Sequence, residues 1–416
     1  MTELFPLTFL SAMVLAFLAT PLAMRVAYRT DFLDRPERYK THRTPTPYLG
    51  GAAVWAAVMV VALPFVAAVG ALAVVLICAG GLWIVGTIDD RWPLMPSWRL
   101  AAELCAATLL YAQGLHWSLG SGPVDFLLTA LWVIGVVNAF NLMDNLDGAA
   151  ATVAAVSAAG IGTFALVHGE PAIGAVSFAL SGACLGFLPH NLARPARIFL
   201  GDGGSMTLGF LIAGLVLLTF RHHPLGRVEL LAGGLLVGLP SLDTALVVFS
   251  RWRRDAPILV GGRDHLTHRL LTRLGSPRRI ACALALGQGL LCAAALLGSA
   301  LGRGALTGLA LAAVAAGLGL IAVMETGQWA LPQSKRALPR TGVIARESPP
   351  PVDLTLSPPR TIAGAPDPLP HAEYETSPGS DDAAARAIRG SQRQVGARPG
   401  ASGTGLGTGI GSACDV

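Results

Sequence analysis

Residues 138–150 read NAFNLMDNLDGAA and set Asn138, Asn141, Asp144, Asn145 and Asp147 within ten positions, at the end of an apolar run (VDFLLTALWVIGVV). Asn141 and Asp144 are three residues apart, as are Asp144 and Asp147, a spacing that stacks side chains along one face of a helix. A file of oxygen donors suits a hard divalent cation such as Mg²⁺, which takes oxygen ligands and shares them with substrate phosphates. Helix capping by Asn and Asp accounts for one or two of these residues, not for all of them.

Three further stretches carry similar chemistry. Asp89 and Asp90 follow LWIVG at the end of another apolar run. An Asp at the centre of a membrane helix costs at least about 2.5 kcal/mol, so an adjacent pair at such a mouth points to function. FLGDGGS places Asp202 in a glycine-rich turn, where backbone N–H groups can approach an anion and the carboxylate can hold a metal that bridges phosphates. GGRDHLTHRL offers Arg263, His265, His268 and Arg269. Two histidines three apart suggest zinc, but no cysteine or further histidine is nearby to complete that site, and phosphate binding fits better. A basic loop near lipid headgroups would explain the arginines and not the histidines. His222 and His223 receive no role.

The elements that carry these residues must be membrane helices. Of 416 residues, 53% are hydrophobic and 13% charged, and the mean hydropathy is +0.58. A soluble domain carries about a quarter charged residues. Apolar runs repeatedly reach the roughly 20 residues that cross a bilayer. The expected fold is all-α and polytopic, with about eleven spans near 5–26, 49–69, 71–88, 98–119, 123–142, 149–168, 171–190, 204–220, 228–249, 279–300 and 304–324. These belong to one transmembrane domain, residues 1–330. Residues 331–416 turn to Pro, Ser, Gly and charge, a composition that cannot bury a core, and are expected to be a disordered cytoplasmic tail. No strand pattern or internal repeat is visible. Five of the six cysteines lie in apolar runs and Cys414 in the tail, with no CxxC pair, so neither a disulfide framework nor a zinc site is indicated.

Glu3 precedes the first apolar run and Arg25 and Arg29 follow it, the reverse of a signal peptide's charge order. The first span is therefore expected to be retained, with its N-terminus outside. Alternating the spans puts loops 27–48, 89–97, 143–148, 191–203 and 250–278 on one face with about eighteen Lys and Arg, against Arg221, Arg227 and Arg303 opposite. That face is cytoplasmic, and the net charge of +5 reflects membrane orientation, not a nucleic-acid partner. All the polar clusters fall on it, which implies one cytoplasmic site for a metal-bound, phosphorylated substrate.

At DRPERYKTHRTPTPYLGG, GTIDD, NAFNLMDNLDG, NLARPARIFLGDGGS and DHLTHRL the chain resembles the polyprenyl-phosphate N-acetylhexosamine-1-phosphate transferases, the MraY/WecA superfamily. The likeness runs from residue 1 to about 325, and the motifs are specific jointly rather than singly. It implies a Mg²⁺-dependent reaction, with Mn²⁺ as an alternative ion, in the plasma (inner) membrane of a bacterium. A polyprenyl phosphate oxygen attacks the β-phosphate of a UDP-N-acetyl sugar and releases UMP, and a homodimer is allowed. By resemblance Asn141 and Asp202 are metal ligands with Asp144 beside them. Asp89 and Asp90 handle the acceptor phosphate, and Asp89 is the better placed to take its proton. Asp147, Phe199 and Leu142 surround the uracil, while Arg263, His265, His268 and Arg269 grip the diphosphate and sugar. Lys40, His42, Asn191 and Arg99 match further motif positions.

Two positions depart from the family pattern. Asn145 stands where Asp-Gly-x-Asp-Gly is common, and Thr267 where His-x-His-His is common. The loop also lacks a triple-histidine run, which favours UDP-GlcNAc over UDP-MurNAc-pentapeptide as donor. A transporter would place its charges near mid-bilayer, often with repeat symmetry. A non-catalytic lipid-sugar-binding protein would not need the complete acidic set at 89, 90, 144, 147 and 202.

Overall fold

Lipid offers the backbone no hydrogen-bond partners, so a chain that crosses it must satisfy its N–H and C=O groups within helices. The computed structural model describes residues 4–35, 45–221, 227–257 and 262–326 with Trp329, and most of these are helical. The helices are α1 (Leu4–Arg29), α2 (Gly50–Ala62), α3 (Gly70–Arg91), α4 (Pro96–Ala112), α5 (Gly122–Met143), α6 (Ala149–Val167) and α7 (Pro171–Asn191). They continue with α8 (Gly201–Thr219), α9 (Arg227–Leu236), α10 (Gly238–Arg253), α11 (Leu266–Leu274), α12 (Pro277–Leu301) and α13 (Arg303–Met324). The expectation of no strands needs one small amendment. β1 (Leu33–Asp34) and β2 (Thr46–Pro47) pair antiparallel, with Leu33 opposite Pro47 and Asp34 opposite Thr46.

Among the described residues, 8 helices are long and apolar enough to cross a membrane, and α9 with α10 would make a ninth, bent by 80°. The chain is a multi-pass helical membrane protein. The runs near 49–69 and 98–119 fall on α2, with 13 residues, and α4, with 17, both shorter than the others. The tail from residue 331 lies outside the described residues.

Helix α8 is the centre of the bundle, with 94% of its apolar window buried, and it packs against α2, α3, α5 and α6. Outlying α1 and α13 have 22% and 17% buried and turn side chains such as Leu18 and Leu311 outward. Close crossings rely on small residues, as is usual where lipid removes the hydrophobic drive between helices. A Cβ added at Gly182 or Gly186 of α7 would run into the carbonyl oxygens of Phe9 and Met13 on α1.

The bend between α9 and α10 has a specific remedy. Gln288 of α12, fully buried, donates to the carbonyls of Leu235 (3.2 Å) and Leu236 (2.8 Å) and accepts from the Leu239 N–H at 3.1 Å. One side chain thus satisfies three backbone groups near the break, and Gly238 and Pro240 mark it in the sequence.

Candidate active site

The ends of α3, α5 and α8 meet the start of α11 around a cavity of about 1230 Å³. Its acidic wall begins with Asp90, the penultimate residue of α3. Asp90 accepts hydrogen bonds from the backbone N–H groups of Asp202 (2.8 Å) and Gly203 (3.2 Å). These are donors that the first turn of α8 cannot satisfy internally, so Asp90 caps α8 from another helix and fixes where Asp202 stands. Gly201 makes the approach possible. Its φ of 79° lies in the left-handed region, and a Cβ there would sit 2.6 Å from the Asp90 carboxylate.

Asp89 accepts from the Leu94 N–H at 2.6 Å and from Arg99 at 2.7 Å, and Arg99 also reaches Asp202 at 3.3 Å. Asn141 donates to Asp202 Oδ1 at 2.9 Å and to Ser205 Oγ at 3.0 Å. Asp144 follows the last residue of α5 and lines the same cavity. Burial pushes its carboxyl well above the usual carboxylate range, and Asp202, Asp90 and Asp147 push the same way, opposed by a hydrogen bond from the Gly201 backbone. The Tyr48 phenol is raised likewise, first by burial and then by Asp34 and the site carboxylates. Among the described residues no cluster of three or more His, Cys, Asp or Glu side chains forms a metal cage.

The opposite flank is built by buried ion pairs. Asp264 receives Arg251 through two nitrogens, at 2.6 and 2.8 Å, and Arg254 at 3.0 Å. Burial alone would raise the Asp264 carboxyl, but the hydrogen bond and charge of Arg251 outweigh it and hold it at about 2. His265 Nδ1 meets Asp243 Oδ2 at 2.9 Å, and the Leu266 N–H donates to Asp243 Oδ1 at 2.6 Å. Arg269 donates to the Asp264 and Met324 carbonyls, to Ser250 Oγ and to Glu325 Oε1. His268 faces the cavity, and burial, then His265 and Arg263, lower its pKa.

The cavity therefore brings together Asp89, Asp90, Arg99, Asp144, Asp147 and Asp202 with Asn191, Phe199, Arg263, His268 and Arg269. Asn141 joins through Asp202. Asn191 has a structural task there: its amide accepts from the Gly148 N–H at 2.6 Å and donates to the Ile198 carbonyl at 2.9 Å. The Arg269 guanidinium is taken up by its own flank. Leu142 and His265 do not line the cavity; Leu142 offers its carbonyl to Asn145 at 2.6 Å, and His265 is buried against Asp243. Lys40 and His42 lie outside the described residues.

Sequence reasoning passed over Asp34 and Tyr48, which line the cavity, and Asp243 and Glu103, which are buried. Asp243 (SLDTALVV) and Glu103 (AAELCAA) are lone acids in apolar surroundings, a signal that marks such residues. Glu103 accepts from Asn138 at 2.6 Å, so that amide ties α4 to α5 and leaves the site to its neighbours.

Fold and cavity define a multi-pass helical membrane protein with a charged pocket where several helices end. The chain belongs to Glycosyl transferase family 4, whose model matches residues 72–220. It is 34% identical to the decaprenyl-phosphate N-acetylglucosaminephosphotransferase of Mycolicibacterium smegmatis, over 68% of this chain and 79% of that protein. The undecaprenyl-phosphate alpha-N-acetylglucosaminyl 1-phosphate transferase of Escherichia coli is 29% identical, over 70% and 83%. A Bacillus subtilis protein described as a probable undecaprenyl-phosphate N-acetylglucosaminyl 1-phosphate transferase is 28% identical, over 63% and 76%.

Proposed function

We propose that the protein transfers N-acetylglucosamine-1-phosphate from UDP-GlcNAc to a polyprenyl phosphate, releasing UMP and leaving a lipid-linked diphosphate sugar, the first intermediate of a cell-envelope glycan. The observation that carries this reading is the single cavity that gathers the acidic and basic residues of separate loops, in a chain of this family. An acceptor phosphate oxygen bonds to the donor's β-phosphorus as the bond from that phosphorus to the bridging oxygen breaks, and UMP leaves with that oxygen. Little covalent chemistry falls to the protein, so positioning and charge stabilisation carry the rate.

A divalent cation, Mg²⁺ by preference and Mn²⁺ as an alternative, fits Asp202 and Asn141 with Asp144 beside them. Mg²⁺ is commonly held by one or two carboxylates plus substrate phosphates, so a complete protein cage is not required. Burial first and then the neighbouring carboxylates raise Asp144, and that crowding of acids supports a cation at this wall. When bound, the ion supplies charge neutralisation on the diphosphate. Arg99, steered by Asp89, receives the acceptor phosphate. A phosphate monoester's second pKa is near 6, so the nucleophile is already largely deprotonated and Asp89 acts by aiming Arg99. Asp90 holds Asp202 in place, Phe199 and Asp147 receive the uridine, and Arg263 and His268 face the diphosphate and sugar.

The basic loops support a cytoplasmic site. Helices α2 and α4 and the bent pair complete eleven spans, with the N-terminus outside.

The test is UMP release by the detergent-purified full chain given undecaprenyl phosphate, UDP-GlcNAc and Mg²⁺. Release should require both lipid and metal and fail in Asp202→Asn. Absence of release with any UDP-N-acetyl sugar, from folded protein, would point to the non-catalytic reading.

A further inference from the structure

Two loops far apart in sequence are latched together at this cavity. Thr267 Oγ1, in the first turn of α11, donates a hydrogen bond to Asn145 Oδ1, and Asn145 Nδ2 donates to the Leu142 carbonyl at 2.6 Å. Both ends of the Asn145 amide are thereby used, the oxygen on α11 and the nitrogen on the end of α5. Thr267 is 0% exposed, and Asn145 lines the cavity. On one side of the latch stand Asp144 and Asp147, and on the other His268 is the next residue and Arg263 four before.

We infer that Asn145 and Thr267 are a coupled positioning pair that sets the gap between the acidic wall and the arginine–histidine flank, and so governs how the nucleotide-diphosphate end of the donor is held. Glycine at 145 would take away the acceptor of a fully buried hydroxyl, which is destabilising. An imidazole at 267 would have to enter the space of a buried threonine with Asn145 already against it, and overpacking of that kind is also unfavourable. Changed together, the two positions exchange volume across one contact. The inference rests on the reading of the reaction given above.

A double-mutant cycle tests it. Asn145→Ala and Thr267→Val should each lower kcat/KM for UDP-GlcNAc about tenfold, with KM for the polyprenyl phosphate unchanged, because the latch lies beside the donor. The double variant should be no worse than the poorer single one. Thr267→Ser, which keeps the hydroxyl, should stay within about threefold of the parent. Thr267→His alone should be impaired and regain activity when combined with Asn145→Gly. Additive losses, equal changes for donor and acceptor, or failure of Thr267→Ser would overturn the inference. If the parent shows no turnover, the reading of the reaction fails, and the same cycle read on UMP binding by the folded protein still reveals coupling or its absence.

Discussion

The two walls of the cavity treat charge in opposite ways. On the flank formed by α10, α11 and the end of α13, charges are matched: Asp264 with Arg251 and Arg254, and Glu325 with Arg253 and Arg269, while His265 is hydrogen-bonded to Asp243. On the wall formed by the ends of α3, α5 and α8, Asp89, Asp90, Asp144 and Asp202 crowd together. Among the described residues, Arg99 reaches two of them. Paired buried charges hold geometry and are costly to break, whereas crowded like charges are tolerated for a ligand that balances them. The flank is a scaffold, and the wall is where the proposed cation and diphosphate would be held.

The largest expected effect comes from the wall. Asp202→Asn should lower turnover by on the order of a thousandfold, because it would weaken the hold on the proposed cation that neutralises charge on the diphosphate. Its melting temperature in detergent should hold or rise, since one of several repelling carboxylates is gone. Asp264→Ala should behave in the opposite manner and lose about 3 kcal/mol of stability, read by thermal unfolding, because Arg251 and Arg254 lose the buried carboxylate they share. A wall variant that unfolds the protein, or a flank variant that melts like the parent, would break the contrast.

Two smaller effects sharpen it. The Asp264 carboxyl is held at about 2 in the folded chain against 3.8 ordinarily, so its contribution is present above pH 4 and lost as the pH falls through 4 toward 2. That contribution is about 2 kcal/mol, and acid unfolding of Asp264→Asn beside the parent would reveal it as a flatter pH dependence. Asn138→Ala, which leaves the buried Glu103 without its amide donor, should cost about 1–2 kcal/mol of stability with the wall untouched.

Much of this was legible in the chain. Each apolar run coincides with helix, and the polar motifs stand out because Asp, Asn and Gly interrupt such runs. The wall residues come from loops that the eleven-span reading puts on one face, and the structure brings them to one cavity. What escaped reading has physical causes. Asp90 caps the first turn of α8 from 112 residues away, a partnership no local pattern encodes. The contact of His265 with Asp243 is not legible because Asp243 sits inside an apolar run that reads as one continuous membrane helix. The bend after Leu236 was announced by Gly238 and Pro240, yet its satisfaction by Gln288 depends on a helix nearly fifty residues later.

The most direct test of the crowded acidic wall is the melting temperature of the purified chain with UMP, with and without Mg²⁺, for the parent and for Asp202→Asn. The parent should gain stability with metal and nucleotide together, and Asp202→Asn should gain little or none. An equal gain in both proteins, or none in the parent at saturating metal and nucleotide, would contradict the assignment of this wall to a cation and a diphosphate.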